Sequence, residues 1–181
     1  MRKLPATMAL TAIVLVPLLL PAQTAAAKKA AAKPATPAAI IVTPDKIQWG
    51  PAPPMLQSGA QFAVLAGDPG KSGPFIIRLK VPDGYKIMPH WHPTTENVTV
   101  ISGEFHAAMG DKFDESSLVT LPAGSLAVMP THHSHYAMAK GETVVQVHGM
   151  GPFKFVYVNP ADDPSEVKEG AAPKTKAAPK K

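Results

Sequence analysis

An all-β domain, either a sandwich or a barrel, is the fold class this sequence predicts. β-Branched and aromatic residues recur in short runs, and Gly, Pro, Asp and Ser cluster between those runs at regular intervals. No stretch between residues 40 and 160 keeps a helical period for long. That stretch, about 120 residues, is the size of one domain and long enough to bury a core.

From the start of the chain, Met1-Arg2-Lys3 is a positive cap on an apolar run, Met8 to Leu20, which Pro17 interrupts. A spanning helix needs about 20 apolar residues, more than this run supplies, and Ala25-Ala26-Ala27 then offers a small-residue cleavage site. Residues 1–27 are expected to form a secretory signal peptide. The mature protein is then periplasmic or secreted, with no integral membrane span after cleavage. The sequence has no cysteine, so neither a disulfide nor a lipid-bearing thiol is available. Residues 28–39 are Ala, Lys and Pro with one Thr, a composition that buries too little apolar surface to offset chain entropy. They are expected to be a disordered linker, and residues 161–181 a disordered tail rich in Lys, Ala and Pro.

The chain carries 18 basic and 13 acidic residues, a formal charge of +5. The excess lies in the terminal segments, because residues 40–160 hold 8 basic and 9 acidic side chains. A nucleic-acid partner requires a basic face on the domain itself. None is expected.

Within the domain, strands are expected at residues 61–65, 75–81, 96–101, 104–109, 117–121, 125–129, 135–138, 143–148 and 153–158. Gly67-Asp68-Pro69-Gly70, Pro82-Asp83-Gly84, Ser102-Gly103, Pro122-Ala123-Gly124 and Gly149-Met150-Gly151-Pro152 separate them as turns. Residues 40–65, with Ile47-Gln48-Trp49, are expected to add a flanking strand or cover an edge.

The stretch Gly84 to Gly103, GYKIMPHWHPTTENVTVISG, carries the chemistry. In an extended segment side chains alternate, so His90 and His92 point to one face and can share an ion. Glu96 has the same parity and opens a β-branched run, and a tight turn at Pro93-Thr94-Thr95 can swing its carboxylate back towards them. Neutral imidazole and carboxylate suit iron(II), manganese(II), nickel(II), copper(II) and zinc(II) alike. The expected cofactor is one divalent metal ion whose identity this donor set leaves open.

The spacing G-x5-H-x-H-x3-E-x6-G, complete from Gly84 to Gly103, resembles the first signature motif of the cupin superfamily. At average residue usage such a match has a chance probability on the order of 10^-7, so it is specific. The second motif, G-x5-P-x-G-x2-H-x3-N, is matched in part by Gly124, Pro130 and His135. His132 stands where the family has glycine, and Ala139 where it has asparagine. The resemblance covers roughly residues 75–158. It implies a cupin jelly-roll barrel over residues 40–160, and a metal held by His90, His92, Glu96 and His135.

By alternation Val98 and Val100 share the Glu96 face, and Ala137 and Ala139 the His135 face, so a pocket bounded by alanines and valines is expected. His106 is expected to face out if Phe105, Ala107 and Met109 face in, and His148 to lie opposite Val145 and Val147. Trp91 and Tyr136 adjoin ligand histidines but point the other way, which suits packing. His132 and His133 are expected either to support a ligand or to be surface turn residues. The resemblance implies an exported metal-binding cupin, a metal-dependent enzyme of dioxygenase or oxidase type acting on a small organic molecule. The alternatives are a non-catalytic, sensor-like module binding a metal or small ligand in the cell envelope, and a degenerate jelly roll that only mediates contacts. Similar proteins often pair through strand addition, so the resemblance implies a homodimer.

Overall fold

The computed structural model describes residues 38–166. The expected leader, residues 28–37 of the linker and residues 167–181 of the tail lie outside the described residues. In order come β1 (Gly50–Pro51), β2 (Gln61–Ala66), β3 (Gly73–Val81), β4 (Lys86–Trp91), β5 (Glu96–Met109), β6 (Val119–Pro122), β7 (Leu126–Met129), β8 (His135–Gly151) and β9 (Val156–Tyr157). Short 3-10 turns occupy Pro44–Lys46, Glu115–Ser117 and Pro160–Asp162, and no α-helix occurs among the described residues.

All pairings are antiparallel, and two long strands organise them. The first half of β8 lies between β4 and the second half of β5, and its second half between β3 and the first half of β5. β2 and β1 extend the sheet beyond β3, β9 pairs with β4, and β6 and β7 pair with β5. The sheet therefore curls, and alternate residues fill its inner face: Phe75, Ile77, Leu79 and Val81 on β3, Val98, Val100, Phe105 and Ala107 on β5, and Ala137, Ala139, Val145 and Val147 on β8.

Sequence reading divided β5 and β8 into two strands each; the structure runs both straight through. Gly103 and Gly141 take positive φ, 78° and 72°, inside continuous strands rather than at hairpin ends. Around Gly103 the register shifts twice, and the inward parity of β5 passes from even to odd residues. Residues 153–158 shorten to β9, and residues 117–121 open as a 3-10 turn before β6. β4 is not among the expected strands, although the segment of His90 and His92 reads as extended; it contains Pro89, and its pairing with β8 is irregular between Ile87 and His90. Residues 40–65 supply both β1 and β2, so they add strands. Met109 is 49 % exposed, although it shares the parity of the buried Phe105 and Ala107.

The loop between β1 and β2 folds over the barrel mouth. Two buried tyrosines fasten it: Tyr85 Oη donates to the Gln57 carbonyl at 2.7 Å, and Tyr157 Oη to that of Met55 at 2.8 Å. Burial pushes Tyr85 up to about 12 from an ordinary 10.0. Burial does the same to Tyr157, with Tyr85 and two nearby carboxylates adding to the rise. A raised folded pKa gives stability that is complete below the unfolded value and lost as pH climbs towards the folded one. The urea midpoint is therefore expected to fall between pH 10 and about 12. The fall is expected to be shallower in the double variant Tyr85→Phe, Tyr157→Phe; an equal fall in both proteins would remove these tyrosines as its cause.

Candidate metal centre

β4 delivers His90, the residue after it delivers His92, the first residue of β5 delivers Glu96, and the first residue of β8 delivers His135. These strands meet in register, with His90 opposite His135. One ligand atom from each of the four residues lies within 4.8 Å of all the others, and every side chain is buried or nearly so. Glu96 Oε2 stands 3.2 Å from His135 Nε2 and 3.7 Å from His92 Nε2.

Backbone carbonyls set the orientation of each ring. His90 Nδ1–H donates to Met88 O at 2.8 Å, His92 Nδ1–H to Lys154 O at 2.7 Å, and His135 Nδ1–H to His133 O at 3.0 Å. A carbonyl can only accept, so these bonds put the proton on Nδ1 and turn an Nε2 lone pair towards the centre. His92 Nε2 and His135 Nε2 are buried without a hydrogen-bond partner, although Glu96 is close. Unpartnered buried acceptors facing a carboxylate are costly unless a cation lies among them. Burial holds His90 well below its ordinary pKa, helped by the His135 and His92 rings. Burial also lowers His92, against the pull of Glu96. The neutral imidazole this favours is the form that binds metal.

Donors about 2.1 Å from one ion are at most about 4.2 Å apart, so a spread of 4.8 Å asks for closure of some tenths of an ångström. Donor identity, tautomer and spacing all fit a divalent ion.

Aromatic rings that also line the cavity stack on two of the ligand imidazoles. Phe155 stacks on His90 with centroids 3.8 Å apart and planes at 10°, and Phe153 on His92 at 4.1 Å and 19°. Sequence reading placed these two phenylalanines on a strand and gave them no part in the site. Their shared parity was the available signal, but nothing local says which histidines they meet.

Three further histidines take no part as ligands. His132 takes the left-handed φ of 59° that its motif glycine would take, so the substitution leaves the turn intact. Its backbone N–H donates to His92 O at 2.9 Å, while its exposed ring packs on Trp91 with centroids 5.0 Å apart. His133 is exposed as a side chain and reaches the site only through its carbonyl. His106 faces away from the centre, with Nε2 2.8 Å from Glu104 and Nδ1 3.2 Å from Thr120. Tyr136 is buried by packing, its hydroxyl donating to Asp114 O at 3.2 Å.

Comparison with known proteins identifies the family and the fold. Residues 37–154 match the family described as the ChrR cupin-like domain. The chain belongs to that family. Among solved structures, this cupin is similar to the polyketide cyclase RemF from Streptomyces resistomycificus, with a TM-score of 0.58 and 15 % identity over 70 % of this chain and 89 % of that one. It is also similar to an RmlC-like cupin from Shewanella frigidimarina, with a TM-score of 0.50 and 16 % identity over 62 % and 91 %. A cupin-2 domain from Rhodospirillum rubrum, Rru_A2000, gives a TM-score of 0.50 and 14 % identity over 67 % and 81 %. At such identities the likeness establishes the cupin jelly roll and carries no substrate with it. No curated protein matches the sequence.

Proposed function

We propose that this cupin holds one divalent metal ion on His90, His92, Glu96 and His135 and presents it to a small organic molecule bound inside the barrel, as a metal-dependent enzyme of dioxygenase or oxidase type. The observation that carries this reading is the set of buried imidazoles whose Nδ1 protons are committed to backbone carbonyls, so that their Nε2 lone pairs converge on one carboxylate. A redox-active ion there would supply electron exchange with substrate and dioxygen, and a redox-inert one would polarise a carbonyl. The chain's own residues do the rest: the carbonyls fix the donor atoms, Phe153 and Phe155 hold the rings, and the apolar inner face excludes water. The leader-like residues 1–27 support export to the periplasm or beyond. No helix among the described residues is long and apolar enough to cross a membrane.

The test measures dioxygen consumption by metal-replete protein over a panel of small organic acids and enols, beside Glu96→Gln. Substrate-dependent uptake that disappears in the variant supports catalysis. Stoichiometric metal without turnover on any of the panel favours the binding-module reading instead.

A further inference from the structure

The cavity above the metal cluster measures about 440 Å³, within the range of small-molecule sites. Of the expected alanines and valines, Val98 and Ala137 line it, joined by Val145 and Val147. Bulkier apolar side chains, Phe62, Ile77, Leu79, Ile87, Phe105 and Met129, complete the walls, and Met55 and Leu56 close it from the tyrosine-fastened loop. The ionisable side chains among its lining are His90, Glu96 and His135, gathered at one place, and Lys154, which is exposed.

That distribution constrains an occupant in two ways. A polyhydroxylated molecule would leave hydroxyls against hydrocarbon, each costing about 1–3 kcal/mol without a partner. A hydrocarbon or aryl body gains from the same walls. At the polar place, a divalent ion with one carboxylate and neutral imidazoles carries a net charge of +1. Charge left uncompensated beside apolar walls is costly, and a monoanionic head removes it.

We propose that the ligand of this chamber is a hydrophobic monoanion: a carboxylate or enolate head directed at the His90–Glu96–His135 face and an alkyl or aryl body lying against Ile77, Leu79, Phe105 and Met129. The chamber selects against sugars and other polyols. This rests on the metal reading above, and the test keeps the two apart.

The full-length chain, loaded with metal and its content measured by elemental mass spectrometry, is titrated by calorimetry with acetate, butanoate, hexanoate, octanoate and gluconate. Affinity is expected to rise about fourfold per buried methylene. Hexanoate is expected to bind well above gluconate, which shares its carboxylate and carbon count. In Leu56→Gln, an amide placed in the loop wall rather than in the barrel strands, the gain per methylene is expected to fall while metal content holds. Flat affinity along the series, gluconate binding as well as hexanoate, or an unchanged gain in Leu56→Gln would each overturn the proposal while leaving a metal-replete centre standing. Folded protein that takes up no metal overturns the metal reading, and the anion argument with it.

Discussion

Replacing His135 with alanine is expected to lower metal affinity by at least about 100-fold. Loss of an outer partner that merely orients a ligand costs about 10–100-fold, and His135 supplies a donor atom itself. Its Nε2 lies 3.2 Å from Glu96 Oε2, the shorter of the two approaches a histidine makes to that carboxylate. Removing it leaves the carboxylate with a more distant neighbour and takes one of three donors from the polar end of the chamber. Elemental mass spectrometry of protein purified without chelator, followed by competition against a chromophoric chelator, measures the effect. His132→Ala is the internal comparison, because that ring is exposed and packs on Trp91. Full metal content in His135→Ala, or equal losses in both variants, would sink the assignment of the centre.

Gly103→Ala is expected to destabilise the fold by about 2–4 kcal/mol, the sum of a left-handed backbone forced on a residue with a Cβ and a clash that nothing nearby can relieve. Gly103 sits at φ 78°, where β5 changes inward parity. A Cβ there would lie 2.5 Å from Thr143 Oγ1 and 2.8 Å from Thr143 Cα, with the Glu142 carbonyl oxygen closer still. Thr143 is fully buried and shares its hydroxyl between the carbonyls of Glu104 and Gly141 at 3.1 Å each, clasping the bend of β5 to the bend of β8. The neighbours that would have to move are therefore backbone and a pinned hydroxyl. Urea unfolding followed by circular dichroism reads the loss. Gly84→Ala is a useful contrast: it also has positive φ, 70°, but a Cβ there meets nothing within 4 Å, so the backbone cost alone, about 1–2 kcal/mol, is expected. Equal losses in the two variants would remove the close approach as the cause.

The same glycine shows where sequence reading reaches its limit. Ser102-Gly103 signals positive φ, which a hairpin turn and a bend inside a continuous strand both require. The choice depended on β8, whose two halves pair with both halves of β5 although residues 110–134 lie between the two strands. The bulkier part of the pocket wall was not legible for a related reason. Alternation identifies which residues of one strand share a face, and it correctly grouped Val98 with Glu96 and Ala137 with His135. Met129 joins that face by pairing with Glu96, and Phe105 by pairing with Ala139, while Phe62 and Leu79 come from β2 and β3; which strands pair is not written in the alternation of any one of them.

The sequence by itself determined an all-β domain and the grouping of His90, His92 and Glu96 on one face, with His135 added by motif spacing. Those are consequences of period-two alternation and β-branched runs, properties of a few adjacent residues. The tertiary structure alone decided which nitrogen of each imidazole faces the centre, which rings support it and what a ligand would touch. The carbonyl that orients His92 belongs to Lys154, 62 residues away, and the ring stacked on His90 belongs to Phe155. A hydrogen bond or a stacking contact depends on distance and angle in space, and residue spacing along the chain fixes neither once the sheet curls.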